Sequence, residues 1–258
     1  MTAVLAVLFF LTAALYAAVG FGGGSTYNAL LVLQGTDYRI LPLIALTCNV
    51  LVVAGGVIRF WQTKQLAVQR LAPFLITSIP FAWLGGRLPI PETAFVALLG
   101  GALLVSGLHL AFSKSGETGA PVHARSAPAF VNLMTGAGIG LVSGLVGVGG
   151  GIFLAPVLYF QGWGTPRQIA AASSLFILVN SLSGLLGQAM KLQEAQLVQL
   201  AEPYWPLLPS VIIGGQIGSW LASQRLHPEL VKRLTAVLIL YVAGRLLYRF
   251  ARTILPLP

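Results

Sequence analysis

Polar and apolar positions in this chain segregate into long blocks. Apolar stretches of about 17 to 22 residues alternate with short polar connections. A helix needs roughly 20 apolar residues to cross a hydrocarbon core. Such spans are predicted at 2–19, 41–59, 71–88 and 93–112, and again at 128–146, 167–188, 203–222 and 233–252. Two further apolar segments, 25–34 and 152–161, are too short to cross as helices. Residues 113–127 carry Lys114, Glu117, Pro121 and Arg125 and read as a polar linker. The expected fold is an all-α polytopic membrane protein, with one transmembrane repeat over 1–112 and another over 128–258.

The repeat rests on a self-match at an offset of 127 residues. Gly20-Phe21-Gly22-Gly23-Gly24 leads to Gln34-Gly35, and Gly147-Val148-Gly149-Gly150-Gly151 leads to Gln161-Gly162. Seven of the 16 aligned positions are identical, and six of those seven are Gly or Gln. Chance similarity between apolar segments would match Leu, Val and Ala instead. Each half therefore has a first span, a glycine cluster, a short segment and three more spans. If first span and short segment form a hairpin, each half crosses an odd number of times and the halves are inverted, the preferred reading. If they form one interrupted crossing, the halves are parallel.

Composition sharpens this picture. Hydrophobic residues make up 57% of the 258 positions and charged residues 8%. Soluble domains carry about a quarter charged residues, so lipid must cover most of this surface. The net charge of +9 reflects basic loops flanking apolar spans, which excludes nucleic acid as the expected partner. Under inversion, the loops 59–70, 113–127, 162–168 and 223–233 share one side and hold nine of the 15 Lys and Arg. That side is expected to be cytoplasmic. Ala17-Ala18 could end a signal peptide, but no basic residue precedes that apolar run, so it is read as a retained helix. The single cysteine, Cys48, allows no intrachain disulfide.

Four glycines in five positions cost a helix about 1 kcal/mol each, so each cluster should end one helix and start another. A helix start exposes unpaired N–H groups and the positive end of its dipole, and glycine lets a ligand reach that backbone. Two such starts near mid-depth suit a small anion. The candidate binding residues are Gly22, Gly23, Gly24, Ser25, Thr26 and Asn28, with Thr47 and Asn49 on the next span. In the second half they are Gly149, Gly150, Gly151, Ser173, Ser174 and Asn180. Each hydroxyl or amide taken singly is better explained by bonding to helix backbone; their recurrence in both halves raises them. Gly136, Gly138, Gly140 and Gly144 fit close helix packing along one face. No carboxylate lies mid-span, so a proton relay or sodium site is not expected. No metal, dinucleotide or P-loop pattern is present, and no cofactor is expected.

The second glycine segment, Gly147-Val148-Gly149-Gly150-Gly151-Ile152-Phe153-Leu154-Ala155-Pro156-Val157-Leu158, resembles that of the sulfite exporter TauE/SafE family. Ala171-Ala172-Ser173-Ser174 and Gly214-Gly215-Gln216-Ile217-Gly218 fit it too, and the likeness covers nearly the whole chain. It implies a bacterial inner-membrane exporter of sulfite or an organosulfonate such as sulfoacetate. In the first half Ala29 stands where the second has Pro156, and Ser25 to Asn28 are unusually polar, which suggests that half carries most substrate contacts. Export would need no coupling site, because an inside-negative potential drives an anion out by about 2.3 kcal/mol per charge per 100 mV. Expected partners are the bilayer, a small inorganic or organosulfur anion and, as one option, a second copy in a homodimer. Uptake or channel behaviour of the same fold is the alternative. An intramembrane serine protease using Ser25 and His109 is disfavoured, because Ile152 stands at the position repeating Ser25.

Overall fold

The computed structural model describes residues 2–18, 20–112, 127–191, 199–221 and 228–254. Among them the secondary structure is helical, with no strand. The helices are α1 (Thr2–Ala18), α2 (Gly24–Leu33), α3 (Leu41–Gln62), α4 (Val68–Arg87), α5 (Glu92–Phe112), α6 (Ala129–Val146), α7 (Gly151–Phe160), α8 (Pro166–Lys191), α9 (Leu207–Leu221) and α10 (Pro228–Ile254). Four of them (Leu41–Gln62, Glu92–His109, Ala129–Val146 and Arg167–Lys191) are long and apolar enough to cross a membrane. The expected linker falls almost wholly outside the described residues.

The apolar blocks forecast these helices closely, with one displacement. The span expected from residue 203 begins as a 3-10 turn, Glu202–Tyr204, and becomes α-helical only at Leu207. Pro203 and Pro206 account for the delay, since neither offers an N–H and each restricts the residue before it. A polar turn precedes α3, where Asp37 accepts bonds from the backbone N–H and guanidinium of Arg39. That bonding holds the half-buried Asp37 carboxyl below its ordinary value.

Pairwise contacts set the direction of each helix. Gly136, Gly140 and Gly144 of α6 face the carbonyls of Phe74, Ser78 and Ala82 of α4, so the two helices run parallel. Gly214 and Gly218 of α9 face the carbonyls of Phe10 and Ala14, so α1 and α9 are parallel as well. Along α8, Ser183 donates to Ile79 O at 2.6 Å and Gly187 faces Trp83 O, which makes α8 parallel to α4. The α5–α10 pair is antiparallel: Gly100 meets Leu247, Gly107 meets Leu240, and Glu92 pairs with Arg249. Small residues allow these backbones to close on one another where lipid supplies no hydrophobic drive.

Since α6 and α8 both run with α4, α7 must return the chain between them. The amide of Gln161, just past α7, donates to Asn132 Oδ1 in the first turn of α6 at 2.9 Å. The segment therefore doubles back and leaves where it entered. The repeated Gln-Gly closes each short helix: Thr36 N–H reaches Leu31 O, and Trp163 N–H reaches Leu158 O, each over 3.0–3.1 Å.

One expectation needs correction. Gly138 does not share the packed face of α6, since a Cβ there would meet nothing within 4 Å. It lies about 200° around the helix from Gly136, whereas Gly140 and Gly144 repeat every four residues. Gly138→Ala should leave packing intact and gain up to about 1 kcal/mol of helix stability, read as a small rise in the melting temperature of the purified protein.

Candidate functional site

The two glycine clusters break the chain as their composition requires. Gly20 and Gly23 have φ of +80° and +87°, and Gly147, Gly149 and Gly150 have φ of +79°, +84° and +80°. These left-handed conformations cost a side-chain-bearing residue about 1–2 kcal/mol each. Gly23 and Gly150 occupy the N-cap positions of α2 and α7, and neither helix start has a side-chain cap. The first two N–H groups of each helix, those of Gly24 and Ser25 and of Gly151 and Ile152, lack intrahelical acceptors, while Thr26 and Phe153 already reach the Gly23 and Gly150 carbonyls.

Both breaks converge on the middle of α3 and α8. A Cβ at Gly22, Gly24 or Gly149 would collide with the Asn49 amide. Gly22, Gly149 and Gly151 likewise face Ile177, and Ser181 Oγ lies beyond Gly149. Gly24 also faces the carbonyls of Gly147 and Val148, so each break touches the other half of the chain. Asn49 is fully buried, and neither atom of its amide has a partner among the described residues. Ser173 Oγ, Ser181 Oγ and Asn180 Oδ1 are likewise buried and unpartnered. Such groups cost about 1–3 kcal/mol each when left unbonded. The site holds neutral donors next to two positive helix ends, which suits an oxyanion. The glycine faces are filled by Asn49 and Ile177, so the arrangement is closed and a guest must displace a side chain or a hairpin tip.

The remaining expected residues divide by their bonds. Gly23 faces Thr12 and Tyr16, and Gly150 faces Phe176 and Ile139, so these two shape the turns. Ser25 is buried at the start of α2. Thr26 Oγ1 bonds the Tyr16 hydroxyl at 2.8 Å, and Asn28 Nδ2 donates to Val146 O at 2.9 Å, tying α2 to the end of α6. Thr47 donates to Leu43 O one turn back, and Asn180 Nδ2 to Phe176 O. Ser174 lies on the Gly20 carbonyl, bracing the first break from α8. At the end of α4, Arg87 lies over the Trp83 ring at 5.3 Å. Sequence reasoning overlooked Ile177. Its signal was its place midway between Ser173 and Ser181, on one face of α8 at four-residue steps.

The sequence profile described as "Sulfite exporter TauE/SafE" matches residues 5–246. The chain belongs to the sulfite exporter TauE/SafE family. Among curated proteins, this TauE/SafE member is similar to the "Probable membrane transporter protein y4hK" of Sinorhizobium fredii. The two are 35% identical over 245 residues, which cover 95% of this chain and 97% of that protein. No solved structure matches. A TauE/SafE protein is a membrane transporter by family, and the buried helix breaks are to be understood within a membrane.

Proposed function

We propose that this transporter exports a small anion, sulfite or an organosulfonate such as sulfoacetate, bound between the two helix breaks. The observation that carries the reading is the Asn49 amide, buried without a partner beside Gly22, Gly24 and Gly149 at two uncapped helix starts. The donors around it are neutral, so the two dipoles offset the charge of the guest without a permanent counter-ion.

The architecture proposed with it is two inverted repeats, over 1–112 and 128–258, joined by a linker at 113–127. The exchange of partners supports this: α4 packs on α6 as α9 packs on α1, while α3 pairs with α8 and α5 with α10. The doubled-back α6–α7 segment supports a re-entrant hairpin in the second repeat, which the proposed symmetry extends to the first. The protein would then be a multi-pass protein of a bacterial inner membrane, with the more basic loops in the cytoplasm. Purified protein in liposomes loaded with sulfite or sulfoacetate is expected to release them faster when the interior is negative. Release no faster than from protein-free liposomes overturns the reading, and release that ignores the sign of the potential removes the export mechanism.

A further inference from the structure

At the far end of α10 lies a second anion-complementary feature, away from the helix breaks. Arg245, Arg249 and Arg252 follow one another at spacings of four and three residues, on a single helix face. They line an open groove of about 590 Å³ that also includes Tyr248 and Val32, the latter from the last turn of α2. Arg249 is satisfied by Glu92, at 2.6 Å. Arg245 and Arg252 have no carboxylate partner among the described residues, so the groove carries about two uncompensated positive charges. One turn further from this end, the same face turns apolar and stays exposed: Tyr241 is 58% and Val237 68% accessible.

We propose that this groove binds an anionic phospholipid, with its phosphate on Arg245 and Arg252 and an acyl chain along Tyr241 and Val237. A free inorganic ion would answer the arginines but leave the apolar track bare; a lipid answers both. Basic pockets at the ends of membrane helices recognise such headgroups. Because Val32 forms one wall, a bound headgroup braces α2, the short helix that follows the first break. The groove thus links lipid to the short helix of the proposed transport site, and rests on that reading, without being part of the site.

The test uses the full chain in detergent, with retained lipid counted by native mass spectrometry. Phosphatidylglycerol is compared with phosphatidylcholine of the same acyl chains, and inorganic phosphate is tried as a competitor. The protein should retain phosphatidylglycerol in preference to phosphatidylcholine, and phosphate should not displace it. The Arg245→Gln/Arg252→Gln variant should bind phosphatidylglycerol roughly thirtyfold more weakly, and Arg245→Lys/Arg252→Lys should keep most of the affinity. Equal retention of the two lipids, unchanged binding in the glutamine variant, or displacement by phosphate each overturns the proposal. If the glutamine variant does not fold, the lipid preference of the unmodified chain still decides the matter.

Discussion

Gly149→Ala should destabilise the protein by roughly 2–5 kcal/mol, lowering its melting temperature in detergent sharply. Two costs add. The residue sits at φ +84°, where an alanine is strained by about 1–2 kcal/mol. Its Cβ would also lie 2.6 Å from Asn49 Nδ2 and 3.0 Å from Ile177 Cγ2, and overpacking of that kind costs about 1–3 kcal/mol. The two terms separate in a double-mutant cycle. Asn49→Ala in the Gly149→Ala background should recover part of the packing loss and none of the backbone strain. A Gly149→Ala protein that melts with the parent would show that the break is not held where the structure holds it.

The helical blocks and both breaks were legible because each follows from one strong physical term. Apolar length fixes a membrane helix, and clustered glycine cannot continue one. Gln34-Gly35 and Gln161-Gly162 were visible as a repeated pair, and the structure gives them a reason as helix ends. What escaped depended on partners far away in sequence. Asn28 and Thr47 looked equally polar, yet one bonds Val146 across the molecule and the other its own helix at Leu43. Periodicity cannot separate those outcomes, since in each case the side-chain donor simply finds a backbone carbonyl. Ile177 carried no chemical signature at all. Its importance comes from lying across from Asn49 at the crossing of the two breaks, a relation set by how α3 meets α8. Gly138 was misplaced for a simpler reason, because glycine spacing was read without its angle around α6.

Asn49→Leu should keep the fold while removing transport, and this pairing of effects discriminates best between binding and scaffolding roles. Leucine keeps asparagine's branching at Cγ and brings no polar atoms, although its two methyl ends are bulkier than the amide and press on Gly22, Gly24 and Gly149. The amide it replaces makes no bond with the described residues, so its loss deprives the folded chain of nothing and relieves about 1–3 kcal/mol of unmet desolvation. That relief offsets an overpacking cost of about 1–3 kcal/mol from the bulkier methyls, so melting temperature should change little. A hydrogen bond to a charged guest contributes about 1.5–3 kcal/mol, so anion flux in liposomes at low substrate should fall by roughly 10- to 150-fold. Asn49→Asp should lose flux as well, but for the opposite reason and at a cost in stability. It places a negative charge, fully buried, beside Gly22, Gly24 and Gly149, where it occupies the positive helix ends and repels the guest. A scaffolding asparagine predicts the reverse pattern, in which leucine lowers the melting temperature and flux falls only as far as folded protein is lost. Flux lost while stability holds in Asn49→Leu would mark a residue retained for what it binds and not for the fold that carries it.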